Sequence, residues 1–260
     1  MARKSTQSRS SQSQPLSAVS SGSPLTAARP ATLEIYDTTL RDGAQAEDVS
    51  FSAEDKVRVA QQLDGLGVQF IEGGWPGANP KDIEFFRMIK TVPLQTATVV
   101  AFGATRKSSN AVQKDPNIRA LLEAETTIIT LFGKTWSLHV TDALGISLVK
   151  NLELISDSVA HLRSKGRRVF YDAEHFFDGY KTNPDYALET IRHAVAAGAE
   201  RVILCDTNGG SMPWEIKDIC RIVRRECAVP LGIHAHNDCE MAVANSLVAI
   251  ETGVVQVQGT

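Results

Sequence analysis

No apolar run in these 260 residues reaches the roughly 18 that a membrane-spanning helix needs, so no membrane association is expected. Cysteine is scarce. The four present, Cys205, Cys220, Cys227 and Cys239, form no C-x-x-C pair, which excludes a disulfide framework and reads as reduced thiols in a cytoplasmic protein. Cys239 adjoins a histidine motif and reads as a small buried residue rather than a metal ligand. Residues 1–30 lack any acid and any aromatic residue, and Arg3, Lys4, Arg9 and Arg29 make them +4. They are rich in Ser and Gln without periodicity, which predicts a disordered tail. They have no apolar core of the kind a secretion signal needs, although acid-free, Arg-dotted composition is also that of an organelle transit peptide. The remainder keeps 23 of the 27 basic residues against all 30 acidic ones, a net of −7. An acidic body excludes a broad nucleic-acid surface.

What is present suits one large α/β domain over residues 31–260, with 43% hydrophobic and 22% charged residues. Short apolar segments at 33–36, 68–71, 96–102, 127–132, 168–172, 202–205, 231–234 and 254–257 read as strands. Helical spacing occupies 52–66, 80–89, 111–123, 147–164, 183–197, 213–226 and 240–252. Ser52 is a candidate N-cap, and Gly67, Gly166 and Gly198 are candidate stops. Eight strands alternating with helices predict a (β/α)₈ TIM barrel. A doubly wound sheet needs a Gly-rich turn after the first strand, and residues 37–45 contain only Gly43.

Reactive residues of such a barrel lie at the C-terminal ends of its strands. Strand 7 ends in His234-Ala235-His236, and residues two apart on a strand face the same side. Strand 1 ends in Leu40-Arg41-Asp42-Gly43. In a closed ring only strand 8 separates strands 7 and 1, so Asp42, His234 and His236 can converge on one divalent ion, Mg²⁺, Mn²⁺ or Zn²⁺. A lone His-x-His is equally a structural pair; the placement of Asp42 favours the metal. Arg41 can polarise a carbonyl oxygen or serve in a surface ion pair. Glu174, facing the mouth with Asp172, can transfer a proton or orient a neighbour. The Thr207 hydroxyl can bind a substrate carboxylate, or Thr207 and Asp206 can cap a helix. Lys134 and His139 either line the mouth or are solvated loop residues, and Trp75 is a pocket wall or a packing residue.

These motifs resemble the acyl-CoA-condensing branch of the DRE-TIM metallolyases, the 2-isopropylmalate/homocitrate synthase family. The match rests on Leu40-Arg41-Asp42-Gly43-x-Gln45 with Lys56 eleven residues on, and on Leu231-x-x-His234-x-His236-Asn237-Asp238. Tyr36-Asp37-Thr38-Thr39, Glu72-Gly73-Gly74-Trp75-Pro76-Gly77, Tyr171 to Tyr180 and Leu204 to Gly210 look like its citramalate synthase type. Asp48 and Glu240 stand where many members have Gly. The resemblance implies condensation of acetyl-CoA, as co-substrate, with an α-keto acid. With pyruvate the product is citramalate, a precursor of isoleucine. It implies Asp42, His234 and His236 as metal ligands, Arg41 as electrophilic catalyst, Glu174 as acid/base residue, Thr207 as carboxylate binder, and a homodimer. Two alternatives stay open: 2-isopropylmalate synthase or a related lyase, and a barrel that binds metal or keto acid, or pairs with a full-length synthase, without turnover.

The family's fourth ligand is an Asn beyond strand 8, and its eighth helix and downstream domains also follow that point; the sequence ends at Thr260. The expectation is therefore an apolar strand face left uncovered, and a chain that is weakly active or inactive and marginally stable by itself. Robust citramalate formation by purified protein of this length contradicts that expectation.

Overall fold

The structure is a computed structural model that describes residues 32–260; the expected tail, 1–30, lies outside the described residues. Eight parallel strands close into a barrel in the order of the sequence. They are β1 (Glu34–Asp37), β2 (Phe70–Gly74), β3 (Thr98–Ala104), β4 (Ile128–Lys134), β5 (Arg168–Glu174), β6 (Arg201–Asp206), β7 (Leu231–Ala235) and β8 (Gln256–Gly259). The helices between them are α1 (Ala53–Gly65), α2 (Pro80–Ile89), α3 (Pro116–Glu123), α4 (Leu148–Ser164), α5 (Phe176–Thr182), α6 (Pro184–Ala196), α7 (Pro213–Glu226) and α8 (Ala242–Glu251). No helix among the described residues is long and apolar enough to cross a membrane. The TIM barrel expected from the alternation of elements is the observed fold.

Local chemistry sets most helix starts. The Ser52 hydroxyl accepts from Asp55 N at 3.1 Å while the Asp55 carboxylate accepts from Ser52 N at 3.1 Å, a reciprocal cap on α1. Asn79, Asp115, Ser147 and Asn183 cap α2, α3, α4 and α6 with side-chain oxygens. Pro follows the cap in α2, α3 and α6, where its missing N–H costs nothing.

Strand alternation divides the apolar residues into two cores. Ile71, Ala101, Ile129, Leu131, Val169, Val202, Leu204 and Ile233 face outward and bury against the helices. Tyr36, Val100, Ile128, Phe170, Ile203 and Cys205 fill the interior. The floor is polar. Arg201 pairs with Glu34 and lies 5.1 Å above the Phe170 ring, and Gln256 Nε2 donates to Glu34 at 3.4 Å. Outside β1, Ile35, Val243 and Leu247 are 41%, 73% and 59% exposed beside a groove of about 620 Å³.

Three elements differ from expectation. Residues 111–123 were expected as one helix, but Asp115 and Pro116 restart the chain: a 3-10 turn at Val112–Lys114 precedes α3. The ladder of β8 begins at Gln256, opposite Glu34 and Gly232, two residues beyond the apolar run at 254. Periodicity predicts no helix over 176–182, yet α5 forms there. Gly179 weakens its intrinsic propensity, but a Cβ at Gly179 would stand 2.6 Å from the Thr135 carbonyl oxygen. Close packing against the end of β4 is what needs glycine.

Asp115 is 1% exposed and accepts from the backbone N–H groups of Lys107, Asn117 and Ile118 and from the Asn110 amide. Burial opposes its charge, but these donors hold the carboxyl below its ordinary value. A depressed folded pKa gives stability that is present above the unfolded pKa and lost as pH falls through the folded one. Asp115→Ala is expected to cost about 1–2 kcal/mol at neutral pH, with the deficit narrowing below about pH 4. Denaturant melts across that range check it; a deficit that widens in acid contradicts it.

Candidate active site

The first loop is shaped by one carbonyl. Thr38 O accepts from the N–H groups of Arg41, Asp42 and Gly43 at 3.1, 2.8 and 3.2 Å, while Thr38 N donates to Gly259 O at 2.8 Å. The turn lifts Arg41 and Asp42 over the mouth of the barrel. Arg41 Nε donates to Glu72 Oε1 at 2.5 Å and Nη1 to Asp42 Oδ1 at 2.8 Å. Its guanidinium carbon lies 3.9 Å over the Phe102 ring. Glu72 is fully buried, and its other oxygen accepts from the Tyr36 hydroxyl at 2.7 Å, itself 2.8 Å from Thr130 Oγ1. Burial disfavours the guanidinium charge, but Glu72 and Asp42 more than compensate and raise its pKa. Arg41 is therefore a fixed, permanent cation rather than a surface ion-pair partner.

Asp42 meets the histidines across the barrel. Its Oδ2 lies 3.1 Å from His234 Nε2 and 3.7 Å from His236 Nε2. One ligand atom from each of the three residues lies within 4.8 Å of the others. Burial would raise the Asp42 carboxyl, but its hydrogen bond from His234 and the charges of Arg41, His234 and His236 hold it well below the usual carboxylate range. His234 is raised despite burial, by Asp42 and Asp172; His236 is lowered, by burial and then by His234. Two imidazoles and an ionised carboxylate fit a divalent cation as a donor set. The side-chain Oε1 of Gln258 lies 3.0 Å from His234 Nδ1 and can accept the proton there. With Nδ1 so bonded, Nε2, which faces Asp42 at 3.1 Å, is the nitrogen left to give up its proton to an ion.

Asp172 lies below, with Gln258 Nε2 3.5 Å from its Oδ1. Burial and the Glu72 charge push its carboxyl up to about 7, against the pull of His234 and Arg41. Glu174 Oε2 pairs with Lys134 Nζ at 2.5 Å. Thr207 Oγ1 accepts from His175 N at 2.9 Å. Arg41, Asp42, Asp172, Glu174, Thr207, His234 and His236 all line one pocket of about 230 Å³, walled by Trp75, Phe102, Phe132 and Cys205. Trp75 is both wall and packing residue, edge-on to Phe102 and Phe132. His139 packs on Trp136 and His175 instead of lining this pocket.

One expectation needs correction, and the alternative of a helix cap at Asp206 is not what forms. Cys239 is exposed, not buried, because it sits in the polar turn between β7 and α8 where Asn237 to Glu240 are all exposed. Asp206 accepts from Ser211 N at 3.2 Å and from its hydroxyl at 2.8 Å; it braces the loop before α7, whose N-cap residue Met212 donates its N–H to the Glu215 carboxylate at 2.8 Å. Motif reading assigned no role to Glu72 or Gln258. The available signal was a polar side chain inside a strand, which burial makes costly without partners.

Comparison with known proteins gives a consistent picture. The HMGL-like family model matches residues 32–260. A Geobacter sulfurreducens protein, (R)-citramalate synthase, is 57% identical over 88% of this chain and 43% of its own length. The Synechocystis (R)-citramalate synthase is 54% identical over 90% of this chain and 44% of its own length. A probable 2-isopropylmalate synthase of Methanopyrus kandleri is 36% identical over 89% of this chain and 44% of its own length. The chain thus spans less than half the length of these curated relatives. Among solved structures, hydroxymethylglutaryl-CoA lyase from Pseudomonas aeruginosa superposes with a TM-score of 0.72 at 22% identity, over 89% of this chain and 77% of that one. That likeness concerns the fold.

Because Gln258 fixes the His234 tautomer, Gln258→Leu is expected to weaken Mn²⁺ or Zn²⁺ binding by roughly 10–100-fold while the barrel stays folded. Calorimetric titration with circular dichroism as the folding control checks this. Unchanged affinity in a folded variant contradicts it.

Proposed function

Because the chain belongs to the HMGL-like family, we propose that its barrel serves a divalent-metal-dependent condensation of acetyl-CoA with an α-keto acid, pyruvate above all, giving citramalate. The observation that carries this reading is the single pocket that gathers Arg41, Asp42, Glu174, Thr207, His234 and His236. Asp42, His234 and His236 would hold a divalent ion, which would supply Lewis-acid polarisation of the keto group. Arg41, already fixed by Glu72 and Asp42 through Nε and Nη1, offers its remaining Nη2 to the keto oxygen and carries the negative charge that develops there. Thr207 donates to the keto acid carboxylate. Glu174 accepts a proton from the acetyl methyl group, Lys134 being the cation that holds it in place. The methyl carbon then bonds to the keto carbon, the keto oxygen takes up the proton that Glu174 holds, and water adds to the thioester carbonyl, giving the free carboxylic acid and the CoA thiol.

The aromatic walls Trp75, Phe102 and Phe132 favour a short substituent on the keto acid. The relatives support the same choice: (R)-citramalate synthases reach 57% identity, and the 2-isopropylmalate synthases 36% and 35%. The test is CoA release from acetyl-CoA with pyruvate, 2-ketoisovalerate or 2-ketoglutarate, with Mn²⁺ present. Pyruvate is expected to give the fastest release. Arg41→Lys, which cannot keep the Glu72 and Asp42 contacts and still reach the keto oxygen, is expected to lose about 10²–10³ in kcat. Faster release with 2-ketoisovalerate makes the chain an isopropylmalate synthase instead. Metal binding without CoA release from any keto acid makes it a binding barrel.

A further inference from the structure

His175, between β5 and α5, has φ 54° and ψ 36°, a left-handed backbone that side chains other than glycine adopt uncommonly. The peptide joining Glu174 to His175 is held at both ends. Its carbonyl accepts from the N–H and hydroxyl of Thr135 at 3.3 and 2.6 Å, after β4. Its N–H donates to Thr207 Oγ1 at 2.9 Å, after β6. The imidazole is held as well. Nδ1 lies 3.3 Å from Asp178 Oδ2, which also accepts from the Asn208 amide at 3.1 Å, and the ring packs edge-on to His139 at 4.4 Å. The strained residue therefore ties together the ends of three adjacent strands.

The consequence falls on Thr207. A hydroxyl has one proton to donate and lone pairs to accept. With the His175 amide bonded to its oxygen, Thr207 retains its proton for a further partner, and no protein acceptor takes it among the described residues. The same side chain lines the pocket beside Arg41 and Glu174. We propose that His175 is a positioning residue: its left-handed backbone turns the Thr207 hydroxyl into a dedicated donor toward the carboxylate of an α-keto acid. It governs keto acid affinity and leaves the bond-making step largely alone. This rests on the functional reading above.

The experiment uses the full chain loaded with Mn²⁺ and measures the pyruvate Kd by calorimetry, with KM and kcat alongside. His175→Gly and His175→Asn enter the left-handed region readily, and are expected to hold the pyruvate Kd within about threefold. His175→Val resists that region; it is expected to raise Kd and KM together by about tenfold or more, the scale of one hydrogen bond to a charged group, with kcat within about threefold. Thr207→Val is expected to match it, and the double variant His175→Val/Thr207→Val to be no weaker than Thr207→Val alone. Should His175→Val fail to fold, His175→Ala takes its place with a smaller rise in the same direction. Equal Kd across the His175 variants, losses in Gly and Asn as large as in Val, or additive losses in the double variant overturn the assignment. No pyruvate binding by the native chain overturns the functional reading, and this inference with it.

Discussion

The site depends on the pairing of β8 with both β7 and β1. Gln258 sits in register with His234 on one side and Tyr36 on the other. That closure is what brings Asp42 within 3.1 Å of His234, 192 positions away in sequence. An open sheet would leave the two at opposite edges. The closing strand is unusual for a barrel interior because it presents two glutamines, 0% and 2% exposed. Buried amides are costly unless bonded. Here Gln256 reaches Glu34 on the floor, and Gln258 spans His234 and Asp172 at the mouth. The same strand therefore closes the fold and orients His234.

Charge in the pocket is layered, not scattered. Arg41 lies between Glu72 and Asp42, and Asp42 lies between Arg41 and the two histidines. Apart from the Glu174–Lys134 pair, three carboxyl groups, Glu72, Asp42 and Asp172, surround the one guanidinium of Arg41. The excess is met by protons: His234 is drawn toward its charged form and Asp172 toward its neutral form. An array that holds protons on groups facing one point is an array that a divalent cation can relieve. Gln258 decides which nitrogen of His234 faces that point.

The alternation of strands and helices was legible because buried parallel strands read as apolar runs and the helices carry local caps. Asp42, His234 and His236 were legible because two-residue spacing on a strand and the arithmetic of a closed ring place them together. Gln258 was not, since a strand sought by its apolar residues was placed at 254–257, and the glutamine that bonds His234 fell just past that run. Glu72 stood in a motif without a role because its partners, Arg41 and Tyr36, come from another strand. The helix at 176–182 and the left-handed His175 are tertiary products. They arise where β4 crowds the end of β5, so neither propensity nor spacing marks them. Cys239 showed the converse error, for its apolar character said nothing about the polar turn around it.

The central claim is that one ion is shared between β1 and β7. Anomalous diffraction from crystals grown with Mn²⁺ tests it most directly. The account predicts one strong peak roughly 2.0–2.3 Å from Asp42 Oδ, His234 Nε2 and His236 Nε2. A peak held by other residues, or no peak at this trio at saturating Mn²⁺, contradicts it.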